Sequence, residues 1–144
     1  MQLFDENTPL ALISIHPRHV SKLLSGEKKL EFRRVWAKTP VEGLIIYSTS
    51  PIQKIVAIAK IKQVHYGSIK TLHKLCREKS GGLTKKELYD YFAGKELGFA
   101  LEIGELITPT EPLTLSSLDE KIRAPQSYMY STQSFSKKLL THWY

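Results

Sequence analysis

The residues most suited to chemistry stand at positions 25–34, SGEKKLEFRR. A glycine turn at Gly26 feeds charge onto a short alternating run. Lys29, Glu31 and Arg33 fall on one side of that run, and Lys28 sits at the turn. Lysine and arginine in such a row suit a phosphate, while a carboxylate between them can accept from a base amino group. The competing reading is a set of exposed cross-strand ion pairs, each of which adds little stability. Two further segments carry polar or aromatic groups in clusters. Residues 47–51 (YSTSP) place Tyr47, Ser48, Thr49 and Ser50 before a proline, as at the rim of a pocket or in an ordinary turn. Residues 124–130 (APQSYMY) bring Gln126, a reader of a base edge, beside Ser127 and the stacking rings Tyr128 and Tyr130. Those rings serve equally well as core cover.

Other chemistry is weakly supported. His16, His19, His65, His73 and His142 are scattered without metal-ligand spacing, so no metal site is expected. Cys76 is the sole cysteine, falls on an apolar helical stripe and reads as core. With a single cysteine no internal disulfide forms, which points to a reducing cytoplasm. There is no G-x-S-x-G, no phosphate-binding glycine loop and no dinucleotide fingerprint, and no cofactor is expected.

The elements that must position these residues follow from periodicity. Residues 11–15 (ALISI) read as a strand. Pro17 opens a helix with Val20, Leu23 and Leu24 on one face, and Gly26 ends it in a left-handed conformation. Residues 29–34 form a strand with Leu30 and Phe32 on a core and the charged face toward solvent or a ligand. Residues 43–49 form a buried strand. Residues 54–64 form a long strand with Ile55, Ala57, Ala59 and Ile61 on one face. Ser68 caps a helix carrying Ile69, Leu72, Leu75 and Cys76. Thr84 and Glu87 form a capping box for a helix through Leu88, Tyr91 and Phe92, with Gly94 as its stop. Residues 99–103 alternate as a strand. A short strand at 113–115, a helical turn at Ser117–Glu120, a polar-aromatic loop over 124–132 and a helix with Phe135, Leu139, Leu140 and Trp143 complete the chain.

Strands that run together favour an α+β barrel or curled sheet over a doubly wound one. The 144 residues fit one domain over 1–144, with its core at about 11–130 and a C-terminal helix at about 133–143. No segment reaches the roughly 20 apolar residues of a membrane helix, so no membrane partner is expected. The 21 Lys and Arg outnumber 14 Asp and Glu, a formal charge of +7. Seven basic residues against two acidic ones lie between Arg18 and Lys38. Such a patch attracts polyanions through its field and through counterion release, although a solvated lysine-rich face has the same composition.

Residues 13–34, ISIHPRHVSKLLSGEKKLEFRR, resemble the opening of an ASCH domain, a family of the PUA-like superfamily of small β-barrels. The resemblance rests on Pro17, Gly26, Lys28, Glu31 and Arg33. It extends through Tyr47–Pro51, the helix end at 91–95 (YFAGK) and 125–128 (PQSY). It is nearest to a prokaryotic branch described as predicted transcriptional regulators with a PUA-like domain. It implies a small mixed β-barrel with flanking helices and a cleft that holds RNA or a modified nucleotide. On that basis Lys28, Lys29, Arg33 and Arg34 would contact phosphates. Glu31, Tyr47, Ser48, Ser50, Gln126, Ser127 and Tyr128 would bind the base or sugar. Some family members are amidohydrolases of acetylated cytidine, and others are ribonucleases. The amidohydrolase pattern K-x-x-T is broken here, because Glu31 stands where the threonine would be. A hydrolytic alternative would therefore use Lys28 with Glu31 as a base on water. DNA remains a possible ligand and a protein-interaction module a third reading; the oligomeric state is undetermined.

Overall fold

The computed structural model describes residues 3–143. Among them the chain order is β1 (Leu10–Ile15), α1 (Pro17–Ser25), β2 (Leu30–Arg33), β3 (Gly43–Ser48), β4 (Lys54–Ser68), α2 (Ile69–Glu78), α3 (Lys85–Tyr91), β5 (Leu97–Ile107), β6 (Tyr128–Tyr130) and α4 (Gln133–Trp143). The strands form one six-stranded sheet in the order β2-β5-β4-β3-β1-β6. β1 and β3 run parallel, and the other neighbours pair antiparallel. The sheet curls until β2 at one edge faces β1 and β6 at the other, giving the α+β half-barrel with flanking helices that the sequence predicts.

Local chemistry explains the elements nearest this seam. His16 caps α1 by accepting from the Arg18 amide, Pro17 occupies the first turn, and Gly26 closes the helix at φ +83°. Val20 and Leu23 pack with Ala11, Ile13, Ile15, Trp36, Leu44, Ile46 and Leu101 on the concave face. Leu30 and Phe32 point the other way, onto Leu72 and Cys76 of α2 and Leu88 and Phe92 of the α3 end. The capping box joins the Thr84 and Glu87 side chains reciprocally to backbone amides. α4 covers the remaining sheet face through Phe135, Leu139 and Leu140.

Several sequence expectations change; β5, expected over 99–103, runs from Leu97 to Ile107. β4 is longer than 54–64 and continues to Ser68, where it hands directly into the α2 cap. Its pairing with β3 slips at Val56, so Ile46 faces Ala57 and Tyr47 faces Ile55. Ile55 therefore packs in the α4-side core, while Ala57, Ala59 and Ile61 pack on the concave side. Residues 128–130 are not loop but an edge strand paired with Ala11, Leu12 and Ile13. Residues 113–120 hold one isolated bridge, Ile55 to Leu113, followed by turns rather than helix.

Phe92 is 1% exposed and meets Phe32 edge-to-face at 6.2 Å. Phe92→Ala should cost about 3–5 kcal/mol in urea unfolding, because both the apolar transfer and the cavity count against the fold.

Candidate nucleic-acid interface

Alternation in β2 sends Glu31 and Arg33 to the concave face, and the turn after Gly26 brings Lys28 beneath them. The charged side of the strand, expected to face solvent or a ligand, is buried. Residue exposures are 2% for Lys28, 6% for Glu31 and 8% for Arg33. Each Glu31 carboxylate oxygen has its own cation: Oε1 lies 3.1 Å from Lys28 Nζ and Oε2 lies 3.2 Å from Arg33 Nη1. Lys28 also donates to the Leu30 carbonyl, and its ammonium lies 5.2 Å from the Phe32 ring centre. Gly82, at φ +73°, leaves room for this lysine stem; a Cβ there would stand 2.9 Å from Lys28 Cβ and Cγ.

Arg33 does more than pair with Glu31. Nη1 donates to the Ser14 carbonyl at 3.3 Å. Nη2 donates to the Ser127 carbonyl at 3.1 Å and to Ser127 Oγ at 2.8 Å. One guanidinium thus ties edge strand β2 to β1 and to the entry of β6. Its planar donor fork suits this set of acceptors, which a lysine could not reproduce.

A pocket of about 190 Å³ opens at the seam, walled by His16, His19, Leu83 and Tyr91 around the three charged residues. The cluster carries one net positive charge in a poorly solvated place. Burial first, then Lys28, lowers the His19 pKa, with Arg18 and Lys22 adding to the effect and Glu31 opposing it. Its Nδ1 is buried without a hydrogen-bond partner. Burial likewise pushes the Tyr91 phenol up, so it remains a neutral hydroxyl. The result is a cationic floor beside a neutral imidazole, suited to an anion and to proton transfer. Among the described residues no group of three or more His, Cys, Asp or Glu side chains is placed to hold a metal ion.

The other expected site residues disperse. Lys29 is exposed and faces a different cavity. Arg34 turns outward, donating to the Tyr91 and Ala93 carbonyls at 2.8 and 3.0 Å beyond α3. Tyr47 packs its ring in the α4-side core. Ser48 is buried at the end of β3, in register with Ile15. Ser50 and Gln126 are exposed, the former before a cis Pro51. Tyr128 packs against Trp36, ring centres 4.8 Å apart and planes tilted by 47°. His19 belongs to this site, although sequence alone does not separate it from the other histidines. Its available signal is the His16–His19 spacing, which puts both on the first turn of a helix directly after a strand.

Fold and site together define a small half-barrel domain whose open seam is bridged by a buried lysine–glutamate–arginine cluster. No family model matches the chain. An ASCH domain-containing ribonuclease of Zymomonas mobilis is 31% identical over 140 residues, covering 91% of this chain and 90% of that protein. The chain therefore belongs to the ASCH domain family. The crystal structure of ASCH from Zymomonas mobilis superposes with a TM-score of 0.82 at 25% identity, covering 95% of this chain and 96% of that one. An ATP synthase subunit alpha of Ureaplasma parvum is 28% identical over 119 residues, which is 83% of this chain but only 15% of that subunit's length. Among the described residues no helix is long and apolar enough to cross a membrane.

Two measurements probe this cluster. Glu31→Ala would leave two buried cations unpaired and should cost about 3–5 kcal/mol in urea unfolding. His19 binds its proton less readily folded than unfolded. Between its lowered folded pKa and the ordinary 6.5, stability should therefore rise with pH, full above 6.5 and level below the folded value. His19→Gln should flatten that window in thermal melts recorded across pH.

Proposed function

We propose that this protein binds RNA at the seam and cleaves it there, with one backbone phosphate drawn into the pocket by the net positive charge of the Lys28–Glu31–Arg33 cluster. The observation that carries the reading is the net-positive buried cluster beside an unpartnered, neutral His19. The pocket of about 190 Å³ is smaller than the roughly 300 Å³ at which sites for whole small ligands begin. It suits a phosphate and the adjoining sugar edge of a polymer better than an entire free modified nucleoside. Likeness to a ribonuclease along nearly the whole chain supports the same choice.

The residues divide the work as follows. Glu31 has both oxygens engaged by cations. It therefore orients Lys28 and Arg33 and does not serve as the base. His19 takes the proton of the ribose 2′-hydroxyl. The 2′-oxygen forms a bond to phosphorus, the bond from phosphorus to the 5′-oxygen breaks, and the departing oxygen takes a proton from water. The excess positive charge of the Lys28–Glu31–Arg33 cluster stabilises the charge that builds on the non-bridging oxygens. A requirement for the 2′-hydroxyl makes DNA a ligand at most and not a substrate.

Titration of a labelled single-stranded RNA should give a binding constant that falls linearly in log[salt]. Lys28→Met, which keeps the buried stem, should weaken binding and reduce the slope by about one. His19→Gln should retain binding but lose roughly 10²-fold or more in cleavage rate on gels. Absence of RNA binding at low salt would overturn the reading. Binding with full turnover in His19→Gln would remove the imidazole from the mechanism.

A further inference from the structure

A second cavity, of about 490 Å³, lies on the other side of Lys28. The two spaces share that residue as a wall, and a strut stands beside it: Lys22 Nζ donates to the Gly82 carbonyl at 3.1 Å, joining α1 to the loop before α3. The larger space is lined by Lys29, Lys62, Lys79, Ser80, Glu102 and Gly104 among others. Its chemistry is organised around one buried carboxylate. Glu102 is 6% exposed and lies 2.9 Å from His65 Nε2, 3.5 Å from Lys62 Nζ and 3.7 Å from Lys79 Nζ.

Here, unlike at the seam, the tethered cations remain open to solvent. The Lys62 and Lys79 side chains are 69% and 45% exposed. Glu102 holds their ammonium groups near one place and leaves their outer faces free, which lowers the ordering cost of meeting an anion. Lys29 adds a cation at the rim, its backbone fixed by a 2.7 Å bond from its amide to the Ser80 carbonyl. Glu78, the other acidic lining residue, has Lys74 within 3.9 Å. The β4–β5 pairing slips on both sides of Ile61 at this level, the kind of irregularity that re-aims side chains. Lys60 and Lys62 consequently flank Gly104, whose missing side chain keeps the floor between them low; a Cβ there would stand 3.5 and 3.7 Å from their Cβ atoms. Among the described residues no aromatic ring lines the cavity, so they offer nothing for a base to stack on.

We propose that this groove is a second, sequence-independent subsite that holds the phosphates of the single strand flanking the one seated at the seam. It rests on the RNA reading above and deepens it: the preferred substrate is a strand long enough to reach past Lys28, and the groove contributes affinity without base preference.

The test compares a dinucleoside monophosphate with an oligoribonucleotide of ~12 nucleotides, within the span of single-strand-binding domains. The wild-type protein should favour the longer strand. In K62A/K79A that preference should fall at least ~10-fold, and the salt slope for the longer strand should drop by about 1.4. K137A/K138A, which removes the same charge from α4, should keep the preference. K29A gives the same readout where loss of Glu102's partners weakens the fold, because the Lys29 ammonium has no ion-pair partner among the described residues. A wild-type protein that binds neither RNA overturns the parent reading. A wild-type protein that binds both, with the length preference intact in K62A/K79A and K29A, overturns the groove alone. An equal loss in K137A/K138A assigns the effect to diffuse surface charge and overturns it too.

Discussion

The structure turns on a buried carboxylate shared between two cations. Glu31 lies in the concave core, where an unpaired charge would lose its hydration with nothing in exchange. With Lys28 on one oxygen and Arg33 on the other, the carboxylate is more than compensated. One positive charge is left over at the seam. Arg33 directs its remaining donors to Ser14 and Ser127, so the ion cluster and the closure of the curled sheet are one arrangement. A substitution at this point acts on barrel geometry and on the electrostatics of the pocket together.

That constraint explains several choices around it. The stem of Lys28 runs beneath the loop before α3, where only glycine fits at Gly82. The next arginine along the strand, Arg34, alternates away and caps the carbonyls at the end of α3. α3 in turn supplies Tyr91 to the pocket wall. The helix that supplies His19 is the same one that plugs the concave core through Val20 and Leu23. The imidazole is therefore positioned by packing rather than by hydrogen bonds to its own Nδ1.

Much of this was legible in the residues. Proline and glycine bracketed α1, the capping box marked α3, and the alternation of 30–33 assigned Leu30 and Phe32 to the core. What was not legible depends on contacts distant in sequence. Burial of Glu31 and Arg33 needs Ser127, and nothing in a strand pattern announces that a row of charges will be covered from across a barrel. The bulge at Val56 shifts Ile55 to the α4 side, opposite Tyr47 of β3, a register effect that period counting within one strand does not detect. β6 has three residues and gains its strand character from β1 alone, so its own composition reads as loop.

The charge run between Arg18 and Lys38 is also divided by the fold rather than displayed as one patch. In the β2–β5 pairing Glu31 stands opposite Leu101, and Leu30 stands opposite Glu102. Opposed residues share a face, so the two carboxylates lie on opposite faces of the same strand pair. Each gathers its own cations: Lys28 and Arg33 on the concave side, Lys62 and Lys79 on the other, where Glu102 also meets His65 Nε2. The difference between them is solvation. At the seam the cations are buried, which favours few, well-fixed contacts to one anionic group. Around Glu102 they are exposed, which favours looser contacts that salt readily screens. Lys28 borders both spaces, and a phosphate chain is the kind of ligand whose repeated charge fits one fixed point followed by a tolerant track.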